Sequence, residues 1–104
     1  MFAVILEFDI LEGKEEEFRE AWSEVTKFIY QNFGSLGSRL HKAKTGKFIA
    51  YAQWPDKETY FSEHKWTEEG IKCGKRMRAT YRSETKVLQM LEMDIDLTKD
   101  KVYK

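Results

Sequence analysis

Apolar and polar residues alternate from the start of the chain. Across Phe2–Ile10, Val4, Leu6, Phe8 and Ile10 fall on one side and Ala3, Ile5, Glu7 and Asp9 on the other. That two-residue period predicts a strand with one fully apolar face. Leu11-Glu12-Gly13 turns the chain. The period then lengthens, and Phe18, Ala21, Trp22, Val25, Phe28 and Ile29 recur at three- and four-residue steps, one apolar stripe of a helix. Glu15, Glu16 and Glu17 crowd its first turn, where the helix dipole favours negative charge, and Gly34 supplies the stop.

Alternation resumes in Leu36–Ala43 and Phe48–Trp54, two strands joined through Lys44-Thr45-Gly46. A three-residue loop with Gly46 at positive φ pairs Ala43 with Lys47. It places Leu36, Ser38 and Leu40 on the face of Phe48, Ala50, Ala52 and Trp54. Arg39 and His41 then share the other face with Ile49, Tyr51 and Gln53, whereas a two-residue turn exchanges the faces of one strand. Pro55 ends the strand, and Asp56 is an N-cap for a short helix through His64. A loop over Trp66–Gly70 leads to a helix over Ile71–Arg82, whose weak inner stripe is Ile71, Gly74, Met77 or Arg78, and Tyr81. Thr85–Asp94 reads as the last strand.

The order strand, helix, strand, strand, helix, strand predicts an α+β fold of ferredoxin-like βαββαβ topology, an antiparallel sheet with helices on one face. Residues 1–97 form a single domain, and 98–104 a polar C-terminal tail. The face away from the helices mixes Ile5, Ile49, Tyr51 and, depending on register, Leu88 and Met90 with Glu7, Arg39, His41 and Gln53. That is too apolar for a wetted sheet and too polar for an ordinary core. Packing it on the same face of a second copy resolves the tension, so a homodimer is expected, its paired sheets making a dimeric α+β barrel.

Charge changes the picture by exclusion. Lys and Arg number 18, Asp and Glu 18, so no global field recruits nucleic acid or an anionic membrane. RNA-recognition motifs share this strand order, but KFIAYAQW lacks the glycine- and aromatic-rich signature of their third strand. No apolar run is long enough for a membrane span, and no basic region or cleavage site marks a signal peptide, so the expected location is cytoplasmic. The single cysteine, Cys73, rules out a disulfide framework. The two histidines sit on different elements without HxxxH or HExxH spacing, so no metal site is expected.

Candidate chemistry gathers around the helix-facing side of the sheet. Ala50 and Ala52 are small, flanked by Phe48 and Trp54, with Leu6, Phe8, Ser38 and Leu40 nearby and Trp22 and Phe61 on the covering elements. These residues line a substrate pocket under the first helix, or else Trp22 and Phe28 fill the space above the alanines as dense packing requires. His64 is the candidate general base, since an imidazole near neutral pKa can take a phenolic proton. The structural alternative is a partly exposed helix-end histidine beside Glu63 and Lys65. His41 belongs to a polar network on the dimer face. Cys73 has basic neighbours at Lys72 and Lys75 that lower a thiol pKa, or is a passive helical cysteine. Lys72, Lys75, Arg76, Arg78 and Arg82, with no acid among them, bind an anion, pair with an acidic helix of a second copy, or form a solvated face.

The strand FAVILEFDI, the helix start EGKEEEF, the hairpin GSLGSRLHKAKTGKFIAYAQW and the helix ETYFSEH together resemble the antibiotic-biosynthesis-monooxygenase family of dimeric α+β barrel proteins. The resemblance covers nearly the whole chain. It implies a cofactor-independent monooxygenase acting on a small aromatic or quinol-type molecule, with His64 at the helix position where quinone-forming relatives place histidines. It also admits a non-catalytic dimeric binding or stress-related barrel. Haem-degrading relatives use an asparagine, a tryptophan and a histidine, but the matching positions here hold Leu6, His64 and, near the third, Gly74, and the chain's asparagine is Asn32. Haem degradation by that route is therefore disfavoured.

Overall fold

The computed structural model describes residues 1–99. Its elements are β1 (Phe2–Ile10), α1 (Glu15–Asn32), β2 (Gly37–Lys44), β3 (Lys47–Trp54), α2 (Lys57–Phe61), α3 (Glu68–Arg78) and β4 (Tyr81–Glu92). The sheet is antiparallel in the order β2-β3-β1-β4. The α+β ferredoxin-like architecture is the one the sequence predicts.

β1 sits centrally because its inward side is apolar throughout. Val4, Phe8 and Ile10 are buried, and opposite them on β3 lie Ala52 and Phe48. The core has two centres. Phe8, Ile10, Phe18, Phe48 and Ala50 form one cluster, and Phe2, Val4 and Trp54 the other. Leu6 touches both, so the clusters flank it along the sheet. α1 reaches the first through Phe18 and Trp22 and the second through Ile29.

α1 lacks a side-chain N-cap, and its acidic first turn acts elsewhere. The Glu15 carboxylate accepts from the Gly46 N–H at 2.8 Å and pairs with Lys42 at 2.9 Å, tying the helix to the tip of the β2–β3 hairpin. The Lys42 ammonium and then that N–H hold Glu15 below the usual carboxylate pKa.

The hairpin keeps the predicted register in its body: Ser38 opposes Ala52, Leu40 opposes Ala50, and His41 opposes Ile49. Its closure differs. Lys44 pairs with Lys47 across a two-residue Thr45-Gly46 turn, and the register shifts between Lys42 and Lys44. The extra residue, Ala43, is a bulge that absorbs the step, so the shorter turn leaves the faces unexchanged. On β4, which starts four residues earlier than expected, Leu88 falls between Val87 (opposite Leu6) and Gln89 (opposite Ile5) and is the bulge residue. Met90 opposes Val4 on the helix side, and Leu91, opposite Ala3, takes the outer face in its place.

α2 is shorter than predicted. Asp56 caps it, accepting from the Thr59 N–H at 2.7 Å, but the helix stops at Phe61 and His64 lies beyond it in extended chain. There His64 stacks on Phe33 and Trp66 on Phe28, contacts a continuing helix cannot make at this site. α3 begins at Glu68, three residues earlier than expected, because the Thr67 hydroxyl accepts from the Gly70 N–H and caps it. Its inner side is Gly70, Cys73, Gly74 and the half-buried Met77, with Ile71 exposed rather than on the predicted stripe. The polar tail expected at 98–104 falls mostly on residues 100–104, outside the described residues. No described helix is long and apolar enough to cross a membrane.

Gly70 and Gly74 face different neighbours. A Cβ at Gly70 meets the Phe28 ring at 2.5 Å, and that ring is held between Trp66 and Phe33. Gly70→Ala therefore lowers stability by about 1–3 kcal/mol despite alanine's better helix propensity. A Cβ at Gly74 meets only the mobile guanidinium of Arg78 at 3.3 Å. Gly74→Ala is neutral or stabilising by up to about 1 kcal/mol. Thermal unfolding of the two variants checks the opposed signs; equal effects contradict the packing of Phe28 on Gly70.

Candidate functional site

Between the two core clusters, the space beneath α1 is open. A cavity of about 320 Å³ lies there, floored by Leu6 and Phe8 of β1 and Ala50 and Ala52 of β3, and roofed by Trp22, Val25, Thr26 and Ile29 of α1. Trp54, Tyr60 and Trp66 close one end, and Met77, Arg78, Tyr81 and Thr85 the other. Ser35 and Ser38 complete the wall. Both serines donate to backbone, Ser38 to Tyr51 O at 3.0 Å and Ser35 to Gln53 O at 3.3 Å, so they present little free polarity.

The void has a mechanical cause. Phe18 packs at a tilt against Phe8 at 5.1 Å and Phe48 at 4.9 Å beneath the start of α1. Phe28, with Phe33 and Trp66 at 5.4 and 5.3 Å, stands near its end. Ten residues separate the two phenylalanines, about 15 Å along a helix. Phe18 stands on the sheet rings Phe8 and Phe48 at the start of α1, Ile29 reaches the Trp54 cluster toward its end, and between them only Ala50 and Ala52 rise from β3.

Polarity concentrates at one end. Tyr81 packs on Phe8 at 5.9 Å, and its hydroxyl is hydrogen-bonded with Thr85. Burial pushes the Tyr81 phenol above its usual pKa, against the pull of the Thr85 hydrogen bond and of the nearby Arg78 cation. Tyr81 therefore remains a neutral hydroxyl at physiological pH. Arg78, where α3 ends, has no carboxylate partner among the described residues.

Of the expected pocket residues, Leu6, Phe8, Trp22, Ser38, Ala50, Ala52 and Trp54 come together around this cavity. Leu40 does not line it and packs on the Phe8 cluster instead. Phe61 is 57% exposed and turns toward Phe2 and Tyr60; its neighbour Tyr60 lines the wall. His64 is not a lining residue either. Its ring stacks on Phe33 at 4.5 Å and lies 5.5 Å from Trp54, one ring removed from the space, and its Nε2 bonds to Tyr60 O at 3.1 Å. A carbonyl only accepts, so Nε2 carries the proton.

Sequence reasoning missed Thr26, Tyr60, Trp66, Arg78 and Thr85 as wall residues. Val25 and Ile29 were legible from the apolar stripe, whereas Tyr81, expected on the inner stripe of a helix through Arg82, opens β4 instead, because α3 ends at Arg78. Thr85 carried no local signal, and Arg78 stood only as an alternative to Met77 on the weak inner stripe and within the basic run; the α3–β4 junction brings both to the cavity.

Other candidates resolve differently. Cys73 is buried, donates to Gly70 O at 3.3 Å, and is pushed up in pKa by burial and then by Glu24, so Lys72 and Lys75 do not activate it. The basic run splits: Arg76 forms a two-pronged bond to Glu24 of α1 at 2.8 and 2.9 Å, Arg82 pairs with Asp9 at 3.2 Å, and Lys72 and Lys75 are exposed. His41 is exposed on the outer face opposite Ile49. Among the described residues no group of three or more His, Cys, Asp or Glu is placed to hold a metal.

A ferredoxin-like sheet with an apolar cavity beneath its first helix defines a class of small α+β pocket proteins. The family model for antibiotic biosynthesis monooxygenase matches residues 1–70, and the chain belongs to that family. No curated protein matches it. Among solved structures, it is similar to SnoaB from Streptomyces nogalater, named a cofactor-independent oxygenase, at 16% identity and a TM-score of 0.70 over 94% of this chain and 97% of that one. It is also similar to a candidate antibiotic biosynthesis monooxygenase from Caulobacter crescentus, at 18% identity and 0.73 over 90% of each chain. A third, from Bordetella bronchiseptica, matches at 11% identity and 0.74 over 90% of this chain and 97% of its own. At these identities the likeness is one of fold.

If the space is truly empty, a larger side chain has room to enter it. Ala52→Leu leaves the unfolding temperature unchanged or raises it, by up to about 1 kcal/mol of added stability. A loss of about 1–3 kcal/mol in the same measurement instead means that Trp22 and Leu6 already fill the gap.

Proposed function

We propose that this chain is a cofactor-independent monooxygenase that converts a small phenolic or quinol-type ring compound to a quinone in the cavity beneath α1. The observation that carries the reading is the cavity itself, apolar along its length and polar at one end. Family membership supports the reaction class, and the name of SnoaB supports the absence of a cofactor.

The chemistry is balanced by the substrate and oxygen alone. A phenol loses its hydroxyl proton to solvent, and the phenolate passes one electron to O2, giving a phenoxyl radical and superoxide. These combine at the para carbon to form a C–O bond, and the peroxide takes up a proton. Loss of the para C–H proton and cleavage of the O–O bond then release hydroxide, which is protonated to water. One oxygen atom enters the quinone and the other leaves in water. The apolar walls serve this sequence by excluding water from the radical pair.

In this reading His64 is a positioning residue that supports the wall through Trp54. Turnover of 1-naphthol under labelled oxygen is expected to put one labelled atom into the naphthoquinone. His64→Ala is expected to retain kcat within a few-fold while raising KM as Trp54 loosens. A kcat loss of about 100-fold or more in a folded variant makes His64 the general base instead. No label in the quinone ends the monooxygenase reading.

We further propose that the active form is a homodimer joined through the outer sheet face. Ile5, Ile49 and Tyr51 are half-buried there, and the neighbouring edge strand and the segment after it expose Leu88, Leu91, Met93, Ile95 and Leu97. Single chains rarely leave so continuous an apolar surface wet. Sedimentation at micromolar concentration is expected to show the mass of two chains; a stable monomer overturns this assembly.

A further inference from the structure

Resting on the reading of the cavity as the reaction site, we propose that its occupant is a two-ring phenol whose ionised oxygen is held by Arg78 at the polar end. Size sets the ring count. An apolar protein cavity of roughly 150 Å³ accommodates benzene. The cavity here, at about 320 Å³, is near twice that, room for two fused rings. Ala50 and Ala52 keep its floor low, and Trp22 lines it from α1.

Charge sets the orientation. Arg76 is committed to Glu24 and Arg82 to Asp9, whereas Arg78 stands beside the cavity without a carboxylate among the described residues. Its side chain folds back over Gly74, with one guanidinium nitrogen 3.3 Å from where a Cβ would stand. The bare helix turn thus leaves the cation a seat against α3. Beside it, Tyr81 and Thr85 supply hydroxyls, and Tyr81 stays protonated and able to donate. A guanidinium and neutral hydroxyls together stabilise one oxygen anion at the end of an apolar slot.

A phenol suits this arrangement better than a carboxylate. A carboxylate is charged at neutral pH and must be stripped of water before it enters an apolar space. A phenol enters neutral and ionises only once its oxygen reaches Arg78. The ionised form is also the one that donates an electron to oxygen, so the same contact that binds the ring prepares it.

The test is anaerobic titration of the intact protein with phenol, 1-naphthol, naphthalene and 1-anthrol, followed by protein fluorescence and by the naphtholate absorption band. 1-Naphthol is expected to bind most tightly, with its bound form ionising at lower pH than in water. Arg78→Ala is expected to weaken 1-naphthol by roughly 10- to 100-fold, leave naphthalene unchanged, and abolish the pH shift of the naphtholate band. Arg78→Lys keeps the charge and is expected to recover part of both. Equal binding of naphthalene and 1-naphthol, or an Arg78→Ala variant with an unshifted affinity, overturns the proposal, and tighter binding of 1-anthrol overturns the ring count. Tight 1-naphthol binding without oxygen uptake on readmitting air defeats the monooxygenase reading and leaves this site standing. Oxygen uptake undiminished in Arg78→Ala does the reverse.

Discussion

The structure depends on a mismatch of side-chain size along one helix–sheet interface. α1 rests at its beginning on Phe18 against Phe8 and Phe48, and near its end on Ile29 against the cluster of Phe2, Val4 and Trp54. Between these supports β3 offers only Ala50 and Ala52. A helix is too stiff to bow into a gap between supports about 15 Å apart, so the alanines remain uncovered. Stability and function then share one device. The side chains that build the core also hold the cavity open, and losing either support lets α1 settle onto the sheet.

The same logic explains why small residues recur beneath large ones. Gly70 lets Phe28 sit against α3, and Gly74 lets Arg78 lie back on its own helix. Each glycine sacrifices some helix propensity to make space for a neighbour, Phe28 in the packing of α1 on α3 and Arg78 at the cavity wall. The segment between α2 and α3 gives up helical hydrogen bonds so that His64 and Trp66 can stack. What reads as an aromatic-rich junction is a wall built outward in layers, Trp54 and Trp66 lining the space and His64 behind Trp54.

Much of the fold was legible because its periods are clean. The alternation in Phe2–Ile10 and the stripe from Phe18 to Ile29 each admit one interpretation. The errors have physical reasons. The bulge at Ala43 needs no special side chain, so nothing in the sequence announced it. The sequence predicts too long an α2 because Ser62–His64 tolerate a helix locally, and the stacking that pulls them out is tertiary. Thr67 followed by Glu68 and Glu69 did carry the start signal of α3, and was outweighed by weak periodicity further on. The cavity floor was readable residue by residue, but its emptiness was not. Alternating large and small residues build filled cores and open pockets alike, and only the tertiary placement of α1 above them separates the cases. Arg78 was legible only as one of five basic residues offered to an anion; its place on the cavity wall, with Arg76 paired to Glu24 and Arg82 to Asp9, sets it apart from the run.

The account's central claim is that the space beneath α1 is a ligand site with a defined polarity. A crystal structure of the protein soaked anaerobically with 1-naphthol tests it most directly. The expected result is ring density between Ala52 and Trp22, its oxygen directed to Arg78 and Tyr81. Density confined to the outer sheet face, or a cavity left empty at saturating ligand, contradicts it.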